Sequence, residues 1–360
     1  MKITRITSHC LSVPLPRPLR TAIHDSRTVD TVLVEMEASG GAVGMGYCYT
    51  LGGPHRARAL HALVEDLTAL YEGRDPLAAR ALAESAWRSI NMLGHAGVAV
   101  MALAPLDTAC WDLAAQHAGV PLYRYLGGQR EWLPTYASSG LWVDYSIDEL
   151  LAEGERFVAQ GHRAVKMRLG RSPEEDVERV RRLREAVPPE VKLLADVNQG
   201  WDEATAIRVG RALEPFELYW LEEPLPYENL EGYGRVAAAL ATPIATGESE
   251  YGSLGVKRHL EARAADILMP DLQRMGGVTG YLKALTLCEA FSTPVASHVF
   301  MEASCHLLAA SPTALMLEHA DWWQELFQAP LDVVEGRVRV PQRPGIDFGL
   351  NRKALERFKV

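Results

Sequence analysis

The first 125 residues show the hydrophobic pattern of a compact α+β unit. Three strand-like stretches occur at Ile3–Cys10, Thr31–Glu37 and Val43–Tyr49, with an Ala-Ser-Gly-Gly turn between the last two. Short stretches of this kind bounded by turn residues are typical of strands, so we predict a three-stranded meander. Periods close to 3.6 predict helices over residues 54–71, 76–91 and 96–117, the last ending at a Gly-Val-Pro stop.

From about residue 130 the pattern becomes strand, loop and helix, repeated. Helical patterns, such as 173–186 and 202–213, separate the apolar runs. Alternating strands and helices predict a parallel sheet covered by helices, and seven or eight units predict a closed (β/α) barrel. With 360 residues, the chain has room for such a barrel and a smaller second domain. The seven apolar runs are residues 164–167, 192–196, 218–222, 243–248, 266–271, 294–298 and 314–318.

The charge, hydropathy and cysteine content of the chain disfavour several classes of protein. The formal net charge of −9 does not favour binding to nucleic acid or to an anionic membrane. No basic stretch followed by an apolar core marks a signal peptide at the N-terminus, and the most apolar run, 97–106, is too short to span a bilayer. Five scattered cysteines without a Cys-x-x-Cys motif are typical of reduced core thiols, so we expect a cytoplasmic protein.

Each apolar run has an ionisable side chain at its last position, or one residue before it in the first run. Successive members of this series are separated by 30, 26, 26, 23, 27 and 20 residues, about one βα unit each. Because the carboxyl ends of barrel strands ring one open face, the seven groups are expected to converge on one pocket. A single acidic residue after a strand is often a helix cap, but that explanation does not account for the whole series. The residues are Lys166, Asp196, Glu222, Glu248, Asp271, His298 and Glu318.

Three of these groups form a predicted cation site. Asp196, Glu222 and Glu248 follow three successive strands, and their carboxylates repel one another unless a cation neutralises them. Oxygen ligands select a hard ion, Mg²⁺ before Ca²⁺, whereas Zn²⁺ would require His or Cys at these positions.

The remaining groups predict acid–base chemistry. Lys166 and Arg168 share one face of a strand. We expect the Arg168 cation to lower the pKa of Lys166, so that Lys166 is a neutral base; alternatively, Lys166 simply binds the substrate carboxylate. Asp271 is expected to fix the tautomer of His298 and raise its basicity, which favours His298 as a general base. With Mg²⁺ and a protonated Glu318 as a donor, the site would remove the proton next to a substrate carboxylate through a stabilised enolate.

These residues and their surroundings resemble the enolase superfamily, specifically its mandelate racemase subgroup. Sites of that superfamily are known to combine Lys or His bases with one or two magnesium ions. The likeness covers nearly the whole chain, and its motifs are specific only in combination. They are Gly161–Arg168 (GHRAVKMR), Asp196–Gln199 (DVNQ), Trp220–Pro224 (WLEEP), Gly247–Glu248, Met269–Asp271, Gly276–Gly280, Ser297–His298 and residues 302–318.

The resemblance implies an architecture and a set of roles. It implies a modified TIM barrel over residues 126–325, an α+β capping domain over 1–125, and a C-terminal segment, 326–360, that packs back on the cap. It also implies a homo-oligomer, with an octamer built from dimers favoured. Among the residues, it implies magnesium ligation by Asp196, Glu222 and Glu248, a base formed by His298 with Asp271, a hydrogen bond from Glu318 to the substrate carboxylate, and contact of Asn198 with a metal-bound or substrate oxygen.

The sequence departs from the racemases of this subgroup at one position. Those enzymes carry a second lysine as the base on the opposite face, where this chain has Arg168. Arginine stays protonated, so two-base racemisation is disfavoured and one-base dehydration of a sugar acid to a 2-keto-3-deoxy acid is favoured. Racemase, epimerase and cycloisomerase activities stay open, with Lys166 as a second base. A non-catalytic barrel that binds a ligand is the alternative from another class.

The cap is expected to select the substrate, a small carboxylic acid. Candidate contacts are His24, Arg27, Tyr47 and Tyr49, although each is equally well explained as an ordinary loop residue. His24 and Arg27 are polar, which suits a hydroxylated acid better than an aromatic one. Two tryptophans after the last run, Trp322 and Trp323, are packing residues or walls of the pocket.

Overall fold

The computed structural model describes residues 1–360, and its N-terminal part is an antiparallel sheet. The strands β1 (Ile3–Arg20), β2 (Asp25–Ala38) and β3 (Val43–Leu51) pair in the order β1-β2-β3, which confirms the predicted meander. Strand β1 extends well beyond the predicted stretch and includes three prolines. Edge strands tolerate proline because one side of the backbone is unpaired, and the register shifts between Pro14 and Leu19.

Helices of the cap cover one face of this sheet. The predicted helix over 96–117 is two helices, because the chain turns at Ala102 and Leu103, just ahead of Pro105. Gly46 lets the second of them approach β3 closely, since a Cβ at Gly46 would lie 2.1 Å from the carbonyl oxygen of Pro105. The helices are α1 (Pro54–Thr68), α2 (Ala79–Ser89), α3 (Val98–Met101), α4 (Ala104–His117) and α5 (Leu122–Tyr125).

One apolar stretch of the cap has the length and composition of a membrane span. It covers Val98–His117, and 89% of its most apolar window is buried inside the protein. That burial is the property of a core helix, which is apolar on all sides because it is surrounded by other elements.

Eight parallel strands form a closed barrel, as predicted. Each neighbours the next in chain order, and β11 pairs with β4 to close the ring. The sequence pattern identified seven of them and missed β4, whose proline at position 134 is atypical of a central strand. The strands are β4 (Trp132–Ala137), β5 (Ala164–Arg168), β6 (Lys192–Asp196), β7 (Trp220–Glu222), β8 (Ile244–Thr246), β9 (Ile267–Leu268), β10 (Val295–Ala296) and β11 (Ala314–His319).

Seven helices surround the barrel between its strands. Several begin with side-chain caps, such as the capping boxes of Ser146 with Glu149 and of Ser172 with Glu175. The helices are α6 (Ile147–Ala159), α7 (Pro173–Ala186), α8 (Glu203–Leu213), α9 (Leu230–Ala239), α10 (Gly252–Ala262), α11 (Val278–Ala290) and α12 (Met301–Ala309).

The C-terminal residues contact both the barrel and the N-terminal sheet. A hairpin of β12 (Val333–Val334) and β13 (Arg337–Arg339) pairs with β4, and α13 (Arg352–Phe358) lies against β1. Arg352 also forms an ion pair with Glu35. The division into units 1–125, 126–325 and 326–360 stays a prediction.

A continuous apolar core joins the N-terminal sheet and its helices to the barrel. The largest cluster of buried apolar side chains contains Leu106 of α4 together with Val278 of α11 and Leu308 of α12. All five cysteines are buried free thiols, and four of them, Cys48, Cys110, Cys288 and Cys305, belong to this cluster. The N-terminal sheet and the barrel are therefore joined by apolar packing.

Candidate active site

Three carboxylates lie together at the carboxyl ends of neighbouring strands. Asp196 and Glu222 are register partners at the ends of β6 and β7, and Glu248 follows β8 by two residues. Each offers an oxygen, and these atoms lie within 4.8 Å of one another. The side chains of Asp196 and Glu222 are at most 1% exposed and that of Glu248 is 12% exposed, so water screens their mutual repulsion poorly.

The surroundings of the carboxylates suit a hard cation. Burial raises the pKa of Glu222 well above its usual range, and the neighbouring Asp196 and Glu248 raise it further. The Trp220 indole donates to Glu222 at 2.8 Å, and the Asn198 side chain donates to Asp196 at 3.1 Å. The Asn198 Oδ1 is buried without a hydrogen-bond partner. An all-oxygen donor set of this kind fits Mg²⁺.

Lys166 and Arg168 extend from the same face of β5 into this cluster. The Lys166 Nζ lies 2.6 Å from Glu222 Oε1 and 2.8 Å from Glu318 Oε1, and Arg168 pairs with Asp196. Burial and Arg168 both lower the pKa of Lys166, but Glu222 and Glu318 outweigh them and the pKa is raised. Arg168 therefore acts in the predicted direction, but the nearest charges to the ammonium are carboxylates, and the role of Lys166 as a base stays a prediction.

Glu318 accepts hydrogen bonds at both oxygens, contrary to the expectation of a protonated donor. Oε1 accepts from the Ser138 hydroxyl at 2.5 Å and Oε2 accepts from the Val299 amide at 2.7 Å. Burial raises the pKa of Glu318, but Lys166, His298 and Arg168 lower it to about 2. The group is thus a carboxylate that holds the Lys166 ammonium and the Ser138 hydroxyl in place.

His298 and Asp271 form the expected pair. The two residues bridge between the chain segments that follow β10 and β9, and His298 Nδ1 lies 2.7 Å from Asp271 Oδ2. Burial lowers the pKa of His298, but Glu248 and Asp271 raise it to about 9. Asp271 also accepts from the Arg274 amide at 2.7 Å. With Nδ1 held by Asp271, the Nε2 atom faces the carboxylate cluster, 3.4 Å from Glu248.

Several loops at this face have a strained backbone. Six of the eleven non-glycine residues with positive φ follow barrel strands here, and such residues concentrate at functional sites because the surrounding structure must enforce them. They are Leu141, Asn198, Gln199, Glu223, Val299 and Phe300.

A cavity of about 270 Å³ joins the cluster to the cap. Of the predicted cap contacts, His24 and Tyr49 line it; Arg27 is exposed and Tyr47 is buried against Glu302, and neither lines the cavity. Trp322 is a wall residue, whereas Trp323 is buried packing. A larger cleft of about 700 Å³ lies between α2 and the helices α10 and α11, but it contains none of the ionisable residues described above.

Sequence reasoning missed part of the lining. Ser138 links Arg168, at 3.1 Å, to Glu318, and Trp142 stacks 5.4 Å from the Arg168 guanidinium. Ser138 follows β4 directly, so the rule of polar residues at strand ends would have found it had β4 been identified. Buried Arg179 on α7 donates to the carbonyls of Trp142 and Tyr145 and so fixes this wall.

Comparison with known proteins assigns the family. Residues 5–127 match the mandelate racemase/muconate lactonizing enzyme N-terminal domain, and residues 149–354 match the enolase C-terminal domain-like family. The chain belongs to the mandelate racemase/muconate lactonizing enzyme family of the enolase superfamily.

Family members with different activities are similar to this chain over most of their length. The L-talarate/galactarate dehydratase of Salmonella typhimurium is 33% identical over 94% of this chain and 87% of that protein. The 3,6-anhydro-α-L-galactonate cycloisomerase of Streptomyces coelicolor is 32% identical over 99% of both. The structure of L-talarate dehydratase from Polaromonas sp. JS666 with Mg and L-glucarate superposes with a TM-score of 0.92, at 31% identity, over 100% of this chain and 97% of that one. The chain is therefore an enolase-superfamily enzyme.

Proposed function

We propose that this enzyme removes the proton next to the carboxylate of a sugar acid and then expels the neighbouring hydroxyl, giving a 2-keto-3-deoxy acid. The observation that carries the proposal is a single histidine–aspartate base beside a carboxylate triad, with arginine at the second-face position. The dehydratase relatives support the substrate class. The test is turnover of a panel of aldonic and aldaric acids with Mg²⁺, read by formation of 2-keto acid.

Asp196, Glu222 and Glu248 would hold Mg²⁺ in this enzyme. When bound, the ion supplies positive charge that stabilises the two negative charges of the enolate formed from the substrate carboxylate. The magnesium complexes of similar enzymes and the all-oxygen donor set support this assignment. Asn198, whose side-chain oxygen has no partner within the protein, would contact an oxygen of the substrate or of the ion's ligands.

The proposed reaction requires one group that acts first as a general base and then as a general acid. Neutral His298 takes the α-proton at Nε2 while Asp271 stabilises the resulting imidazolium. A cation held by Glu248 would favour the neutral form, because Glu248 is the first of the groups that raise the pKa of His298. Lys166 and Arg168 keep their positive charge and bind the substrate carboxylate. The imidazolium then returns its proton to the 3-hydroxyl, which leaves as water, and the enol converts to the 2-keto acid. Glu318 and Ser138 position Lys166 and Arg168 without exchanging a proton.

One-base chemistry makes a specific prediction about isotope exchange. In deuterium oxide, we expect the wild-type enzyme to exchange the α-proton of only one of two epimeric sugar acids, because Arg168 is a poor base. Arg168→Lys places a titratable amine on the second face and is expected to gain slow exchange of the other epimer, followed by NMR. Equal exchange of both epimers by the wild type would instead support an epimerase with Lys166 as the second base.

The second candidate function, cycloisomerisation of an anhydro sugar acid, is favoured by the full-length likeness to the Streptomyces enzyme. It uses the same proton abstraction, and it would give an isomeric product with no loss of water. Mass spectrometry of the product separates the two reactions, since dehydration lowers the mass by one water and cycloisomerisation leaves it unchanged.

We also propose a cytoplasmic homo-oligomer, with an octamer favoured. Two exposed apolar side chains support subunit contacts: Leu254, which lines the larger cleft, is 57% exposed, and Met92 is 94% exposed. Light scattering at micromolar concentration is expected to give the mass of an oligomer. A monomer of 39.7 kDa would contradict this prediction.

A further inference from the structure

The cavity is lined by four arginine and lysine side chains, and they differ in their partners. Lys166 and Arg168, at the barrel floor, each form an ion pair with a buried carboxylate. Arg274, from the segment after β9, and Arg56, from the first turn of α1, also line the cavity, but neither forms an ion pair with any carboxylate of the protein. The two unpaired arginines are therefore free to bind an anion from solution.

Arg274 has most of its hydrogen-bonding capacity unused. Its Nη1 donates to the Glu248 carbonyl at 2.5 Å and to the Ser249 hydroxyl at 3.3 Å, while Nε is buried without a partner. A guanidinium has five N–H donors and prefers a bidentate acceptor such as a carboxylate. Burial lowers the pKa of Arg274, but Asp271 and Glu248 raise it overall. The side chain is therefore a cation, yet none of its N–H groups donates to a carboxylate of the protein.

Arg56 adds a second cation on the cap side of the same cavity. Its Nη1 donates to the Leu51 carbonyl at 2.9 Å, which holds the guanidinium at the cavity rim beside Thr50. The lining also includes Thr21 and His24, which offer polar groups to hydroxyls. The cavity thus carries cations from both the barrel and the cap, together with polar groups.

We infer that Arg56 and Arg274 bind a second carboxylate of the substrate, so that the enzyme acts on a dicarboxylic sugar acid, an aldaric acid, rather than on an aldonic acid. This inference rests on the proposed function, because it assigns the reacting carboxylate to Lys166 and Arg168. A neutral hydroxymethyl group at the distal end of the substrate would leave Arg274 without a charged acceptor.

The first test compares matched substrates. Galactarate and galactonate, and likewise glucarate and gluconate, differ only in whether the distal carbon is a carboxylate or a hydroxymethyl group. With Mg²⁺, we expect kcat/KM for the better aldaric acid to exceed that for its aldonic partner by at least about tenfold, as for the loss of a charged hydrogen bond. Equal or faster turnover of the aldonic acids would overturn the inference and leave the proposed dehydration intact.

The second test uses the rim arginine. Arg56→Gln is expected to raise KM for the aldaric acid about tenfold and to leave the aldonic acid unchanged, since only the former has a carboxylate at that end. Arg58→Gln is the matched control, because Arg58 is an exposed arginine on the same helix that does not line the cavity. An equal loss for both substrates would contradict the assignment.

Binding separates failure of this inference from failure of the proposed function. The Mg²⁺-loaded His298→Asn variant, which is expected not to turn over, is titrated calorimetrically with galactarate and galactonate. Tighter binding of galactarate that is lost in the additional Arg56→Gln variant supports the subsite even if no acid is dehydrated. Absence of turnover across the whole panel would refute the dehydration. Equal affinities for galactarate and galactonate would refute the subsite.

Discussion

Replacing His298 with asparagine is expected to remove proton abstraction almost completely while Mg²⁺ affinity survives. The imidazole is the one neutralisable base whose free nitrogen faces the carboxylate cluster, since Lys166 and Arg168 are held as cations by Glu222 and Asp196. Loss of a general base typically costs a factor of ~10² to 10⁴, and more when no neighbouring group replaces it. The measurement is α-proton exchange in deuterium oxide, which reports abstraction without requiring the later loss of water.

A substitution at Asp271 is expected to have a smaller effect on α-proton exchange than the substitution at His298. Asparagine at 271 keeps a hydrogen-bond acceptor for His298 Nδ1 but removes the negative charge that favours the imidazolium. We therefore expect Asp271→Asn to retain some exchange and His298→Asn to retain almost none. If His298→Asn exchanged the α-proton at the wild-type rate, the base would be another residue, and the role proposed for the pair would be wrong.

The barrel and its site could be predicted from sequence because each βα unit repeats the same local signal. A short apolar run followed by a charged residue marks the carboxyl end of a strand, and closure brings those ends together. The prediction failed at β4, where Pro134 weakens the strand pattern. Ser138, one residue past the end of β4, was missed for that reason.

Protonation was harder to predict than position. The sequence shows that Lys166 and Arg168 share a face, and like charges lower a lysine pKa. It does not show that Glu222 and Glu318 approach the ammonium within 3 Å. The same contacts make Glu318 a carboxylate that accepts hydrogen bonds. These distances depend on the relative position of strands that are far apart in the chain, which residue spacing alone does not give.

Cap residues were the least predictable part of the site. The sequence pattern of the cap predicts strands but not which of their side chains face the barrel, so residue type alone indicates the candidates His24, Arg27, Tyr47 and Tyr49. The structure brings His24 and Tyr49 to the cavity and leaves Arg27 exposed outside it. The arginine of the cap that lines the cavity is Arg56, in the first turn of α1. Sequence alone does not indicate this role, because a charged residue in a helix is usually exposed to solvent.

The second large effect is expected for the cation site. Glu222→Gln should lower Mg²⁺ affinity by more than about 100-fold, because even residues that only orient metal ligands cost 10- to 100-fold when changed. Glutamine keeps the acceptor for the Trp220 indole but removes the charge that holds the cation. Wild-type protein treated with EDTA should lose turnover and regain it with added Mg²⁺, and the variant should regain it only at much higher concentration.

The control for Glu222→Gln is a buried carboxyl group that is not part of the triad and does not line the cavity. Glu302 is 2% exposed and accepts hydrogen bonds from Tyr47 and Trp323, and glutamine preserves an oxygen acceptor for both. Glu302→Gln should therefore leave the Mg²⁺ titration unchanged. A ligand that binds only the folded state stabilises it by ~2.7 kcal/mol at 100 times its Kd, so Mg²⁺ should raise the Tm of wild type and Glu302→Gln but not of Glu222→Gln. Full turnover after EDTA, or an equal Tm rise in Glu222→Gln, would show that the three carboxylates do not form the magnesium site.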